Sequence, residues 1–101
     1  MSRKITTLWY PARKDRYKEY RSGINREIEP ESEPLIKRGS YKEFIGGTIR
    51  LYYDPAAIVP TVEINGKIYH GDLVFAAVKD GKDLGLTARQ IMAIKLVVNI
   101  I

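Results

Sequence analysis

Ile64-Asn65-Gly66-Lys67-Ile68-Tyr69-His70-Gly71-Asp72-Leu73-Val74-Phe75-Ala76-Ala77-Val78-Lys79-Asp80-Gly81 is the stretch on which the reading of the fold turns. A two-residue Asn-Gly loop between β-branched runs signals a tight hairpin, because a type I′ turn needs positive φ at both positions. Ile58–Ile64 and Lys67–His70 are therefore expected as paired strands. Asp72 then reads as the cap of an apolar helix over Leu73–Lys79, ending at Gly81.

Working towards the N-terminus, Thr48–Tyr53 is a β-rich run closed by Asp54-Pro55 and reads as a strand. Ser40–Ile45 is expected as a helical turn before Gly46-Gly47, and a short element is expected at Leu35-Ile36-Lys37. Residues 29–34, Glu-Pro-Glu-Ser-Glu-Pro, read as a linker. Lys4–Tyr10 reads as a first strand stopped by Pro11. Between Ala12 and Ile28 the apolar residues Tyr17, Tyr20, Ile24 and Ile28 fall at helical spacing, with a break expected near Ser22-Gly23.

Towards the C-terminus, Thr87-x-x-Gln90 is a capping box that opens a helix over Ile91–Ile101, whose last residues are β-branched enough to form a strand instead. Its core face is expected to be Ile91, Ile94, Val97, Val98 and Ile101. Met92, Leu96 and Ile100 make a second apolar ridge, read as a protein-binding face covered by a second copy of the chain, with residues 97–101 buried. Asp83–Ile94 also resembles the second half of a helix-turn-helix, with Arg89, Gln90 and Lys95 facing a groove. Lys79-Asp80-Gly81-Lys82 departs from that pattern, so an ordinary capped core helix is preferred.

Val59-Pro60-Thr61-Val62-Glu63-Ile64-Asn65-Gly66 through Gly71-Asp72-Leu73 resembles the C-terminal half of glutaredoxins and other thioredoxin-fold proteins. The resemblance implies a cis Val59–Pro60 peptide and a protein-binding surface around Pro60. It implies no redox activity, because Tyr10-Pro11-Ala12-Arg13-Lys14-Asp15-Arg16 lacks the family's catalytic thiols. The expected fold is α+β, one domain over residues 1–101. It would have a mixed sheet of about four strands and about three helices, arranged in thioredoxin-like fashion.

Composition narrows the function classes. The chain has 101 residues and is 45% apolar and 29% charged, as expected for one modest globular core. No apolar run approaches the roughly 20 residues of a membrane-spanning helix, and no signal-peptide pattern opens the sequence, so a cytoplasmic setting is expected. The absence of cysteine removes disulfides, thiolate metal sites and cysteine nucleophiles. With His70 the only histidine, no multi-histidine metal site can form in one chain, and neither metal nor cofactor is expected. Scarce Asn and Gln lean towards a thermophilic source. His70 with Asp72, Asp54 and the tyrosines could suggest acid–base chemistry, but no nucleophile accompanies them, and the protein is read as non-enzymatic.

The strongest functional signal is charge. The net charge is +5, and residues 1–26 carry eight Lys/Arg against Asp15 and Glu19, while the remainder is nearly neutral. Arg13, Lys14, Arg16, Lys18, Arg21 and Arg26 surround the Tyr17/Tyr20 stripe on the expected first helix. Basic side chains neutralise phosphates and aromatic faces stack bases. The expectation is a small binding protein whose first helix contacts nucleic acid or an acidic protein. The competing readings are a cysteine-free thioredoxin-like adaptor and a virus-encoded accessory or structural protein.

Overall fold

A computed structural model of the chain describes residues 3–12 and 23–101. Among them are nine strands and two α-helices. In chain order these are β1 (Ile5–Tyr10), β2 (Ile24–Ile28), α1 (Pro34–Arg38), β3 (Tyr41–Phe44), β4 (Ile49–Tyr52), β5 (Pro60–Ile64), β6 (Lys67–His70), β7 (Leu73–Lys79), β8 (Lys82–Leu84), α2 (Ala88–Val97) and β9 (Val98–Ile100). Every strand pairing is antiparallel. The larger sheet runs β2-β1-β7-β4-β3, with β8 also on β7, and the smaller runs β6-β5-β9. The expected α+β architecture, a mixed sheet of about four strands with three helices, is thus replaced by a mostly β fold of two sheets.

The reversal centres on β7. Leu73–Lys79, expected as a helix, is the central strand of the large sheet. It pairs with β4 along one edge, and with β1 and then β8 along the other. Its side chains alternate between two cores. Leu73, Phe75 and Ala77 enter the principal core with Leu8, Tyr10, Ile49, Leu51, Val62, Ile64, Tyr69, Leu86 and Ile94. Val74 and Ala76 enter a second core with Ile5, Ile28 and Tyr52, against which Trp9, Leu35 and Ile36 pack. The small sheet and α2 therefore cover one face of the large sheet, and α1 covers part of the other. A strand buried on both faces is apolar at every position, which removes the alternation that would have marked it.

Asn65 (φ 52°) and Gly66 (φ 83°) form the expected positive-φ hairpin turn between β5 and β6. Asp80 (φ 53°) and Gly81 (φ 76°) make a second turn of the same kind, joining β7 to β8 where a helix end was expected. Without a helix at 73–79 the helix-turn-helix reading has no first helix, and Gln90 is engaged in the α2 cap instead. The Thr87 hydroxyl accepts from the Gln90 N–H at 3.2 Å, and the Gln90 side chain accepts from the Thr87 N–H at 2.9 Å.

Other expectations are corrected. Tyr41–Phe44 is a strand rather than a helical turn. Ile24–Ile28 is β2, not the end of the first helix, because it pairs residue by residue with β1. The 29–34 linker is ordered: Pro30–Ser32 is a 3₁₀ turn with Pro30 buried, and Pro34 opens α1. The backbone contains no cis peptide bond among the described residues, so Val59–Pro60 is trans, contrary to the expectation. The C-terminal helix stops at Val97, where β-branched residues turn into β9 and pair with β5. Ile94 is buried as expected, whereas Val97 and Ile101 are exposed rather than covered.

Candidate functional site

The face of the large sheet that α1 covers only in part carries a cleft of about 290 Å³. Strand periodicity sets its floor: Trp9 lies on the same face as Ile5 and Thr7, and the β1–β2 register puts Arg26 opposite Thr7. The Arg26 guanidinium lies 4.8 Å from the centre of the Trp9 ring, a cation–π contact. Glu33, at the N-cap of α1, stands 3.9 Å from Arg26. Arg38, in the last turn of α1, pairs with Asp54 at 3.3 Å. Leu35, Ala57 and Asp72 complete the walls. Asp72 caps no helix; its carboxylate accepts from the Ala12 N–H at 2.8 Å, tying the end of β1 to the start of β7.

A neighbouring cleft of about 200 Å³ is lined by Tyr53, Asp54, Pro55, Ala57, Lys67, Ile68, Tyr69 and His70. Asp54 and Ala57 belong to both clefts. Gly71 stands directly behind Ala57. Its φ is +78°, and a Cβ placed on it would lie 2.5 Å from the Ala57 Cβ. Its N–H donates to the Val59 carbonyl at 2.8 Å, and its carbonyl accepts the buried Thr61 hydroxyl at 2.6 Å. The wall between the clefts is therefore fixed from behind by backbone and by a glycine. His70 and Asp72, considered together from the sequence, fall in different clefts. No group of three metal-ligating side chains occurs among the described residues.

The predicted site residues meet different fates. Arg26 is at the cleft, on a strand rather than on a helix. Arg13, Lys14, Arg16, Lys18 and Arg21, with the Tyr17/Tyr20 stripe, lie outside the described residues. The chain leaves β1 and re-enters β2 at the Trp9 end of the pair, since Trp9 opposes Ile24. Pro60 is exposed at the start of β5. Met92 and Leu96 project exposed from α2, while Ile100 sits on β9 and not on the helix. Sequence reasoning missed Trp9, Glu33 and Arg38 as neighbours. The odd-numbered register Ile5-Thr7-Trp9 on an assigned strand was the available signal for the first of them.

Among the described residues no helix is long and apolar enough to cross a membrane. No family model, no curated protein and no solved structure matches the chain.

Proposed function

We propose that the protein is a small non-catalytic binding module for single-stranded nucleic acid. The Trp9–Arg26 cleft would take a base, and the adjoining basic segment would take phosphates. The observation that carries the reading is the Trp9–Arg26 stack at the end of the β1–β2 pair from which residues 13–22 depart. That segment holds five Lys/Arg against two acids. The division of labour follows from charge. The cleft itself holds Arg26 and Arg38 against Glu33, Asp54 and Asp72, so it is no phosphate site. Carboxylates beside an aromatic and a guanidinium plane suit the exocyclic amino groups and the faces of unpaired bases.

The test is titration of short DNA and RNA single strands, and of duplex, across a salt series, read by the fluorescence of Trp9, the only tryptophan. If about three or four basic side chains reach phosphates, log affinity falls against log salt with a slope of roughly −0.7 per contact on single strands. Replacing Lys14, Lys18 and Arg21 together by Gln flattens that slope by about three contacts' worth. Arg26→Gln weakens single-strand binding more than duplex binding. Absence of binding at low salt refutes the proposal and leaves an acidic protein surface as the partner to seek.

A further inference from the structure

We infer that β9 is an interface strand, and that it pairs antiparallel with β9 of a second copy, joining two small sheets into one across a two-fold axis. Five of the described strands are sheet edges: β2, β3 and β8 in the large sheet, β6 and β9 in the small one. An open edge presents unpaired N–H and C=O groups, and charged side chains are the usual protection against pairing there. Four edges carry that protection: Arg26 and Glu27 on β2, Lys42 and Glu43 on β3, Lys67 on β6, Lys82 and Asp83 on β8. Val98-Asn99-Ile100 carries no charge.

The hydrogen-bond pattern shows which groups face outward. The Ile101 N–H donates to the Thr61 carbonyl at 3.1 Å, and Val62 is the register partner of Ile100. Those two facts make Val62/Ile100 a non-hydrogen-bonded pair, in which the backbone groups of Ile100 point away from β5. The Val98 N–H is already occupied by the Ile94 carbonyl at the end of α2. Ile100 alone therefore offers both a donor and an acceptor off the edge. A second Ile100 related by a two-fold axis exchanges both bonds with it, which makes the strand complementary to itself. The flank is apolar: Leu96 is 84% exposed, Met92 66% and Ile101 53%. Two copies of this flank would cover one another beside the paired strands.

Because the chain has no cysteine, a single introduced thiol reports the axis cleanly. Paired residues across such a junction have Cα atoms about 5.5 Å apart, within the roughly 4.4–6.8 Å a disulfide spans. The wild-type chain is expected to sediment as a dimer in the micromolar range. Ile100→Cys is expected to cross-link under mild oxidation in dilute solution, whereas Ile68→Cys, on the opposite edge strand of the same sheet, is not. Met92→Lys with Leu96→Lys, both on exposed positions, is expected to weaken the dimer roughly tenfold or more while the circular dichroism spectrum is kept. A wild-type chain that sediments as a monomer throughout that range overturns the inference. So does cross-linking at residue 68 equal to that at residue 100.

Discussion

Gly71→Ala is the substitution whose cost the structure defines most fully. Two separate terms act on the one methyl group. At φ +78° an L-residue carries a left-handed backbone penalty of about 1–2 kcal/mol. The new Cβ would also stand 2.5 Å from the Ala57 Cβ, over 1 Å inside a normal carbon contact of about 3.5–4 Å. Gly71 cannot yield easily, since its own backbone groups tie it to Val59 and Thr61. Overpacking of this kind costs about 1–3 kcal/mol, so the total is about 2–5 kcal/mol. Ala57→Gly removes the obstructing methyl and alone costs only about 0.5–1 kcal/mol, through unfolded-chain entropy. Combined with Gly71→Ala it restores the space but not the backbone conformation. The double variant should therefore lose about 1.5–3 kcal/mol, with a favourable coupling of about 1–3 kcal/mol between the two sites. Urea unfolding followed by Trp9 fluorescence reads these values. With a slope of about 1–3 kcal/mol per molar for a domain of this size, Gly71→Ala lowers the midpoint by roughly 1–3 M. A cost below about 1 kcal/mol, or strict additivity in the double variant, would refute the close approach of Gly71 to Ala57.

Thr87→Ala removes one half of the capping box and should cost about 1 kcal/mol, a fall of roughly 4–8 °C in Tm by calorimetry. Ile45 holds φ at +54° while about half exposed. Ile45→Asn should raise stability by up to about 0.5 kcal/mol, because relief of the left-handed backbone penalty of about 1–2 kcal/mol outweighs the loss of half-buried apolar surface. Burial pushes the Tyr10 hydroxyl up to about 12. Burial, with the hydrogen bond to Asp83 added, does the same to Tyr52. Both values are raised above the unfolded one, so the stability they contribute is complete below pH 10 and is lost as pH rises towards 12. By pH 12 each tyrosine has removed roughly 2 kcal/mol. Denaturation midpoints measured from pH 9 to 12 should fall accordingly, and Tyr10→Phe should flatten the fall; an unchanged slope in that variant would exclude Tyr10 as a cause.

The hairpin at Asn65-Gly66, the strands flanking it, β1, β4 and the α2 capping box were legible in the sequence, because each depends on neighbours a few residues away. What was misread depends on distant partners. The consecutive residues from Leu73 to Val78 are all apolar and buried, with no polar face to reveal a period, and Asp72 looks like a cap although its carboxylate serves Ala12, 60 positions away. Asp80-Gly81 carries the same turn chemistry as Asn65-Gly66 and was available as the correcting signal. Residues 24–28 satisfy helical spacing by their isoleucines alone; their pairing with β1 is invisible until β1 is known to be a neighbour. The cleft was legible only through Arg26, since Trp9, Glu33 and Arg38 come from three elements that meet only in the folded chain.

Phe75 stands opposite Leu8 on one side and Leu51 on the other, so β7 is the seam through which the β1–β2 and β3–β4 pairs meet. The pairing of Leu8 with Phe75 joins the first strand to the seventh, and non-local closures of this kind put β folds in the millisecond-to-second range. During synthesis the large sheet has no middle until residues 73–79 have emerged. Until then the two earlier pairs hold apolar faces and open edges with nothing to join, the state in which a nascent β protein is most prone to aggregate. A strand that is central in the sheet and follows in sequence the pairs it joins makes emergence of residues 73–79 the trigger for assembling the large sheet.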